Sequence, residues 1–310
     1  MNKKLLLYFA GIILLFGVIF FAAQKNNNTA QPLSQNKQLQ VVTSFYPLYF
    51  FAKEIGGDKA NISNLTPASA EPHDYEPTAQ DIAKIEKSNL LVLNGGSLES
   101  WGNKIEKEMQ EKQITIVTAA ENLVNREIEE EGKKVKDPHV WLDPVLAKQE
   151  VIKIERGFEK ADSAHAEYYQ KNMKVLEGKL DQLNTDFKNG LQSCQKKDFV
   201  TSHAAFGYLA AQYGMNQISI SGLSPDQEPS AQQLANVVEL VKKNDIKVIF
   251  FETLVSPKLS ETIARETGTK TMVLDPIEGI SDDYRKAGHT YMTVMKDNLT
   301  NLQTALQCNK

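Results

Sequence analysis

Apolar and polar positions alternate along residues 40–308 with two different periods, and each change of period marks an element. Short runs rich in Val, Ile, Leu and Phe fall at 40–44, 61–65, 90–93 and 114–117, and again at 199–202, 217–220, 248–252 and 271–275. Apolar runs this short, bounded by polar residues, predict buried strands. Between them, 48–55, 78–87, 204–213, 230–244, 257–267 and 284–306 carry helical spacing, and another helix runs from Pro144 to about residue 160. Thr78 with Asp81 three residues on is close to a capping box, which places a helix start there. Strand and helix alternating twice over predict an α/β fold of two Rossmann-like domains with mostly parallel sheets.

The stretch between the two alternations has a single period. Residues 163–191 contain no proline and only Gly178 and Gly190, and their apolar positions Met173, Leu176, Leu180, Leu183, Phe187 and Leu191 step by 3, 4, 3, 4 and 4. That is one amphipathic helix, and at 1.5 Å per residue it spans about 40 Å, enough to cross a domain. The expected organisation is a first α/β domain at 39–162, a rigid linking helix at 163–191 and a second α/β domain at 192–310. The charged run 126–136 reads as a solvated loop.

The amino terminus is a separate segment. Lys3 and Lys4 precede an unbroken apolar run at 5–23, followed by a polar stretch rich in Asn and Gln to about residue 38. A basic flank before such a run is an export signal or a membrane anchor, and its length nearly spans a bilayer. A cut after Ala22 or Ala23 would put Phe20 or Phe21 at a position that favours small residues. The segment therefore reads as an uncleaved anchor with a polar tether, holding the body on the extracytoplasmic face of the membrane; cleavage would release it into a periplasm. Export also permits disulfides. With only Cys194 and Cys308 present, either they pair with each other or both are free thiols.

Composition narrows the function. The chain is 41% hydrophobic and 24% charged with a net charge of -4, so it lacks the basic excess of a nucleic-acid binder. Of its five histidines, three sit in distinctive loops: His73 in Glu71-Pro-His-Asp-Tyr-Glu-Pro77, His139 in Asp137-Pro-His-Val-Trp-Leu-Asp-Pro144, and His203 at the end of Phe199-Val-Thr-Ser-His203. In open α/β sheets ligands bind at the carboxyl ends of strands. His203, Glu252 and Asp275 end predicted strands in the second half, and Glu278 follows in Asp275-Pro-Ile-Glu-Gly279. Three imidazoles and one carboxylate make a four-coordinate set suited to zinc. Glu252 reads as a ligand's hydrogen-bonding partner or a structural acceptor. Asp137 and Asp143, each before a proline, read as turn formers, and His165 and His289 as bystanders on polar helix faces.

The three histidine segments, with Ser202-His-Ala-Ala-Phe-Gly-Tyr-Leu209, Ser221-Gly-Leu-Ser-Pro-Asp-Gln-Glu-Pro-Ser230 and Phe251-Glu-Thr253, resemble the signature segments of the cluster A-I substrate-binding proteins, in particular the zinc-uptake branch. The resemblance covers about residues 40–308. It implies two α/β domains joined by a long helix, Zn(II) held between them, and delivery to an ABC permease and its ATPase for import by a monomeric binding protein. Carried over, the three imidazole ligand positions fall on His73, His139 and His203. The fourth falls on Glu278 or Asp275, with Glu278 preferred because the surrounding motif is of the Glu type. Manganese members of the family resemble this chain but carry a carboxylate where His203 stands, which a harder metal favours. The chain departs from the family pattern in lacking a lipid-attachment cysteine and a histidine-rich loop.

Rival classes are a manganese-binding homologue, a metal-dependent surface adhesin and a secreted zinc hydrolase. A hydrolase needs an open coordination position and a general base, for which Glu278 or Glu252 would serve, and the chain has no His-Glu-x-x-His motif. A transport component, and no enzyme, is the expectation.

Overall fold

A computed structural model describes residues 38–309 except 69 and 131. The apolar run at 5–23, and with it the expected anchor, lies outside the described residues. Among the described residues no helix is long and apolar enough to cross a membrane.

Two four-stranded sheets carry the fold, and both are parallel throughout. In the first, β1 (Leu39–Thr43), β2 (Ala60–Asn64), β3 (Leu90–Leu93) and β4 (Thr115–Thr118) lie in the order β2-β1-β3-β4. In the second, β7 (Asp198–Thr201), β8 (Asn216–Ser219), β9 (Val248–Phe251) and β10 (Lys270–Val273) lie in the order β10-β9-β7-β8. The pairing is parallel from Leu39 opposite Ala60 to Val273 opposite Phe251. Parallel strands are covered on both faces, which is why β3 reads Leu-Leu-Val-Leu and is buried along its whole length. Alternate side chains serve two cores. Val41, Leu90 and Val92 face one cluster, while Val42, Leu91 and Leu93 face another.

Around the first sheet pack α1 (Tyr46–Gly56), α2 (Ala79–Glu86), α3 (Gly102–Glu111) and α4 (Pro144–Ala161). The capping box read at Thr78 is formed, with Thr78 and Asp81 each accepting from the other's backbone N–H. On α4, a β-carbon at Gly157 would lie 2.3 Å from the Val117 side chain, so glycine lets this helix close on the sheet. A 3-10 turn (Ser163–His165) leads into α5 (Ala166–Leu191), a 26-residue helix. Its apolar stripe, Tyr169, Met173, Leu176, Leu180, Leu183, Phe187 and Leu191, is buried. One cluster joins that stripe to Leu90 and Val92 of the first sheet and to Phe199 and Phe250 of the second. The linking helix is thus part of a core that runs continuously under both sheets, a stiffer joint than a solvated linker.

The second sheet is covered by α6 (Gly207–Tyr213), α7 (Ala231–Lys243), α8 (Lys258–Thr267), α9 (Asp282–Lys286) and α10 (Tyr291–Ala305). Two expectations are corrected here. The single helix expected at 284–306 is two helices, because Gly288 takes a left-handed φ of +92° and Thr290 starts a new capping box with Thr293. The charged run expected as a solvated loop is a hairpin of β5 (Glu127–Glu130) and β6 (Lys133–Lys136). Its register sets Glu127 opposite Lys136 and Glu129 opposite Lys134, so cross-strand charge pairing favours the hairpin.

Cys194 and Cys308 form a disulfide with a sequence separation of 114, joining the segment after α5 to the end of α10. Closing a loop of that length restricts the unfolded chain, a stabilisation of about 5 kcal/mol in the chain-entropy account and often less in practice. The double substitution Cys194→Ser with Cys308→Ser is expected to lower the thermal midpoint clearly. An unchanged midpoint in calorimetry would show that the bridge contributes nothing.

Candidate metal centre

The carboxyl ends of the strands supply the side chains. In the second sheet β8 and β9 lie on opposite sides of β7, so the crevice opens between the ends of β7 and β9. His203 follows β7 and Glu252 follows β9 at that point, both buried. In the first half, His73 lies on the loop between β2 and α2, and His139 precedes a 3-10 turn (Val140–Leu142) leading into α4. Tyr75 anchors the His73 loop: its hydroxyl donates to Asp81 at 2.7 Å, and its carbonyl accepts from the Trp101 indole at 3.1 Å.

Four donor atoms meet. His73 Nε2 lies 3.2 Å from His139 Nε2 and 3.2 Å from Glu278 Oε1. His139 Nε2 lies 3.2 Å from Glu278 Oε1 and 3.3 Å from His203 Nε2. His203 Nε2 lies 3.4 Å from Glu278 Oε1. All four atoms fall within 4.8 Å of one another, in a group that could hold a metal ion. His139 and His203 are fully buried, Glu278 nearly so, and His73 forms the slightly open side.

A carboxylate stands behind each of the two buried histidines. Asp137 Oδ1 accepts from the His139 backbone N–H at 3.0 Å and faces its ring Nδ1 at 2.8 Å. Glu252 Oε1 accepts from the His203 backbone N–H at 3.2 Å and faces its Nδ1 at 2.7 Å. Each arrangement turns Nε2 inward and raises its basicity as a ligand. The turn-former reading of Asp137 therefore missed its part in the site. The Asp-x-His spacing was the available signal, since a carboxylate two residues before a histidine can reach both its backbone N–H and its ring.

Asp275, the alternative to Glu278, is outside the cluster. Its Oδ2 accepts from the Thr253 hydroxyl at 2.6 Å and its Oδ1 from the Ile277 N–H at 2.7 Å, while Asn298 holds its backbone N–H and carbonyl. These bonds stabilise an unusual turn. Ile277, buried and β-branched, has a φ of +59°, a left-handed conformation costing roughly 1–3 kcal/mol. That turn carries Glu278 into the cluster.

His165 and His289 lie elsewhere. His165 is bound to Asp162 at 2.7 Å, and His289 stacks on Tyr284 at 3.6 Å between ring centroids. Glu71 is a further group that sequence reasoning passed over. Both its oxygens are buried without a hydrogen-bonding partner among the described residues. Burial, and then the charge of Glu278, push its carboxyl up to about 9, so at neutral pH it stands protonated beside the site.

The imidazoles differ electrostatically. Burial holds His73 below the ordinary imidazole value. Burial also opposes charge on His203, but Glu252 and Glu278 outweigh it and hold that ring well above. At His139 burial is outweighed by Asp137 and Glu278, and the net shift is upward. Burial would raise Glu278, yet the three imidazoles hold it well below the carboxylate range.

Contacts between the halves surround the cluster. The Tyr208 hydroxyl, from α6, donates to the Asp137 carbonyl at 3.0 Å and accepts from the Asn125 and Arg126 N–H groups, each at 3.2 Å. Arg126 closes over Gly207, where a β-carbon would sit 2.7 Å from its Nε.

Two parallel α/β sheets sharing one core through a long helix, with three imidazoles and a carboxylate converging between them, define a two-lobed α/β binding protein with a metal-type donor cluster. The chain belongs to the family described as zinc-uptake complex component A, periplasmic, which matches residues 41–305. It is 39% identical to the high-affinity zinc uptake system protein ZnuA of Bacillus subtilis, over 96% of this chain and 97% of that protein. Its fold is similar to that of Zn(II)-bound AdcA from Streptococcus pneumoniae, with 39% identity and a TM-score of 0.77. That match covers 87% of this chain but 58% of AdcA, so the chain spans little more than half of that relative. The laminin-binding protein Lmb of Streptococcus agalactiae, described as having adhesin and metal-transporting activity, aligns with 34% identity and a TM-score of 0.79, over 86% of this chain and 99% of Lmb.

Proposed function

We propose that the chain is an extracytoplasmic binding protein that captures Zn(II) and delivers it to an ABC permease and its ATPase. His73, His139, His203 and Glu278 are the ligands in this reading, and Asp137 and Glu252 orient two of them. Residues 39–162 and 192–310 are the two lobes, held by the segment 163–191. The observation that carries it is the size of the donor cluster. Zinc bonds of about 2.0–2.1 Å in a tetrahedron require donors roughly 3.3–3.4 Å apart; five of the six separations among the four donors run from 3.2 to 3.4 Å, and all four atoms lie within 4.8 Å of one another.

Three nitrogens and one carboxylate oxygen favour zinc over manganese, which suits oxygen-rich octahedral sites. Four protein ligands also leave no position for an activated water, so the reading is cargo capture and not hydrolysis. The family description places such proteins in the periplasm, and the amino-terminal segment would tether this one to the membrane as a monomer. Competitive titration of the purified protein with Zn(II) and Mn(II) tests the metal: zinc should win by orders of magnitude, and equal affinity would sink the assignment.

A pH dependence follows. In the metal-free protein His203, held well above the ordinary imidazole value, and His139, held above it, keep their protons to higher pH than a free imidazole, whereas burial makes His73 lose its proton more readily. Zinc binds the neutral rings, so binding should release protons, and apparent affinity should already fall with pH above the ordinary imidazole value of about 6.5, because two of the three rings hold their protons to higher pH. Calorimetry in buffers of different ionisation enthalpy counts the protons; a heat independent of buffer would contradict imidazole ligation.

A further inference from the structure

Trp141 follows His139 by two residues and is fully buried. Its ring lies 5.1 Å from the His139 ring and 4.7 Å from Phe45, edge-on. Packing explains the ring but not the direction of its one polar group. The indole Nε1 donates at 2.8 Å to the carbonyl of Pro276, which belongs to the other half of the molecule. The Trp141 carbonyl in turn accepts from the Tyr291 hydroxyl of α10 at 2.6 Å. This residue therefore joins the two halves through both its side chain and its backbone.

The Pro276 carbonyl occupies a sensitive place. It belongs to the peptide unit whose N–H, on Ile277, donates to Asp275 Oδ1 at 2.7 Å. That unit is pinned at both ends, its oxygen by Trp141 from the first half and its nitrogen by Asp275 from the second. The next backbone torsion is the left-handed φ of +59° at Ile277, which a β-branched residue adopts only when its surroundings impose it. Glu278 follows at once, with its Oε1 3.2 to 3.4 Å from the three imidazole nitrogens. Rotation of the pinned peptide would return Ile277 to negative φ and shift the start of Glu278.

We propose that Trp141 is a positioning residue for Glu278: its indole N–H, reaching across from the His139 segment, locks the Pro276–Ile277 peptide and so sets the fourth donor against the three imidazoles. The proposal rests on the reading of Glu278 as a zinc ligand. It ties the position of the fourth donor to the His139 segment through one hydrogen bond, separate from the contacts that the ligands make among themselves. Phenylalanine at 141 keeps an aromatic ring but removes the donor, leaving the Pro276 carbonyl unpaired, and its smaller ring also gives up some packing at this fully buried position.

The test is a double-mutant cycle on zinc release, followed in the full-length chain by stopped-flow transfer to a chelator. Trp141→Phe should speed release by about tenfold and also lower the melting temperature of the metal-free protein, so the cycle with Glu278→Gln, and not the single variant, separates coupling from packing. Glu278→Gln should speed it more. Combining them should give a rate no faster than Glu278→Gln alone, because Trp141 acts through Glu278. Rates that multiply in the double variant would show that Trp141 serves only general packing and would overturn the proposal, as would an unchanged rate in Trp141→Phe. If Glu278→Gln alone leaves release unaltered, it is the ligand assignment that fails. Thr253→Val supplies the same test from the opposite end should Trp141→Phe fold poorly. It removes the hydroxyl that donates to Asp275, and it should speed release in the native background but not in Glu278→Gln. Equal acceleration in both backgrounds would again reject the coupling.

Discussion

His203→Ala is expected to weaken zinc binding by at least about 100-fold. Four-ligand structural zinc sites bind with apparent free energies of roughly 10–16 kcal/mol, about 2.5–4 kcal/mol for each ligand, and 1.4 kcal/mol is a factor of ten. The loss should be large at this position because His203 is fully buried, leaving no exposed surface from which solvent can take its place. The vacated room beside Glu252 and Glu278 would also bring two carboxylates together without their imidazole partner. His165→Ala serves as the control and should bind zinc normally, since His165 is engaged with Asp162 and takes no part in the cluster. His203→Glu should do something different: it exchanges a nitrogen for an oxygen ligand and should narrow the preference for zinc over manganese. Competitive titration of the three variants checks all of this. Native affinity in His203→Ala, or a severe loss in His165→Ala, would mean that the site has been wrongly assembled.

Glu278 and Asp275 should separate just as clearly. Glu278→Gln removes the one anionic donor from the cluster and should weaken zinc binding by roughly 100-fold. Asp275→Asn should weaken binding far less than Glu278→Gln, by about tenfold at most, because Asp275 acts only through the turn that carries Glu278, where its carboxyl, raised by burial to about 6, faces Thr253 and the Ile277 N–H. Its cost should fall mainly on stability, at about 1–2 kcal/mol for a disturbed buried hydrogen bond. Isothermal titration for binding and denaturant unfolding for stability measure the two effects independently. Strong loss of zinc in Asp275→Asn with none in Glu278→Gln would reverse the assignment.

The alternation of β and helical periods made the α/β class and the long connecting helix legible without coordinates. Both are local: Leu90–Leu93 reads as a strand buried on two faces, and the steps from Met173 to Leu191 read as one helical stripe. Local reading failed where a neighbour decides the outcome. The Glu-rich and Lys-rich stretches of 126–136 look like a solvated charge run until each is seen as the other's strand partner. The helix expected from 284 to 306 required Gly288 to be recognised as a break, and its periodicity nearly continues across it.

The donor chemistry of this protein is written in its chain: two histidines in proline-bounded loops, a third at the end of a strand where α/β sheets bind ligands, and an acidic group in Asp275-Pro-Ile-Glu278. What only the tertiary structure decided is which acid joins them and what stands behind each ring. Asp275 and Glu278 are three residues apart and chemically alike, so no local rule separates them. Asp275 is drawn into a turn by Thr253, Ile277 and Asn298, and that same turn, held from the far half by Trp141, points Glu278 inward. Composition sets which side chains can bind a metal. The few tenths of an ångström that bring their donor atoms within reach of one ion depend on contacts between residues that are distant in sequence.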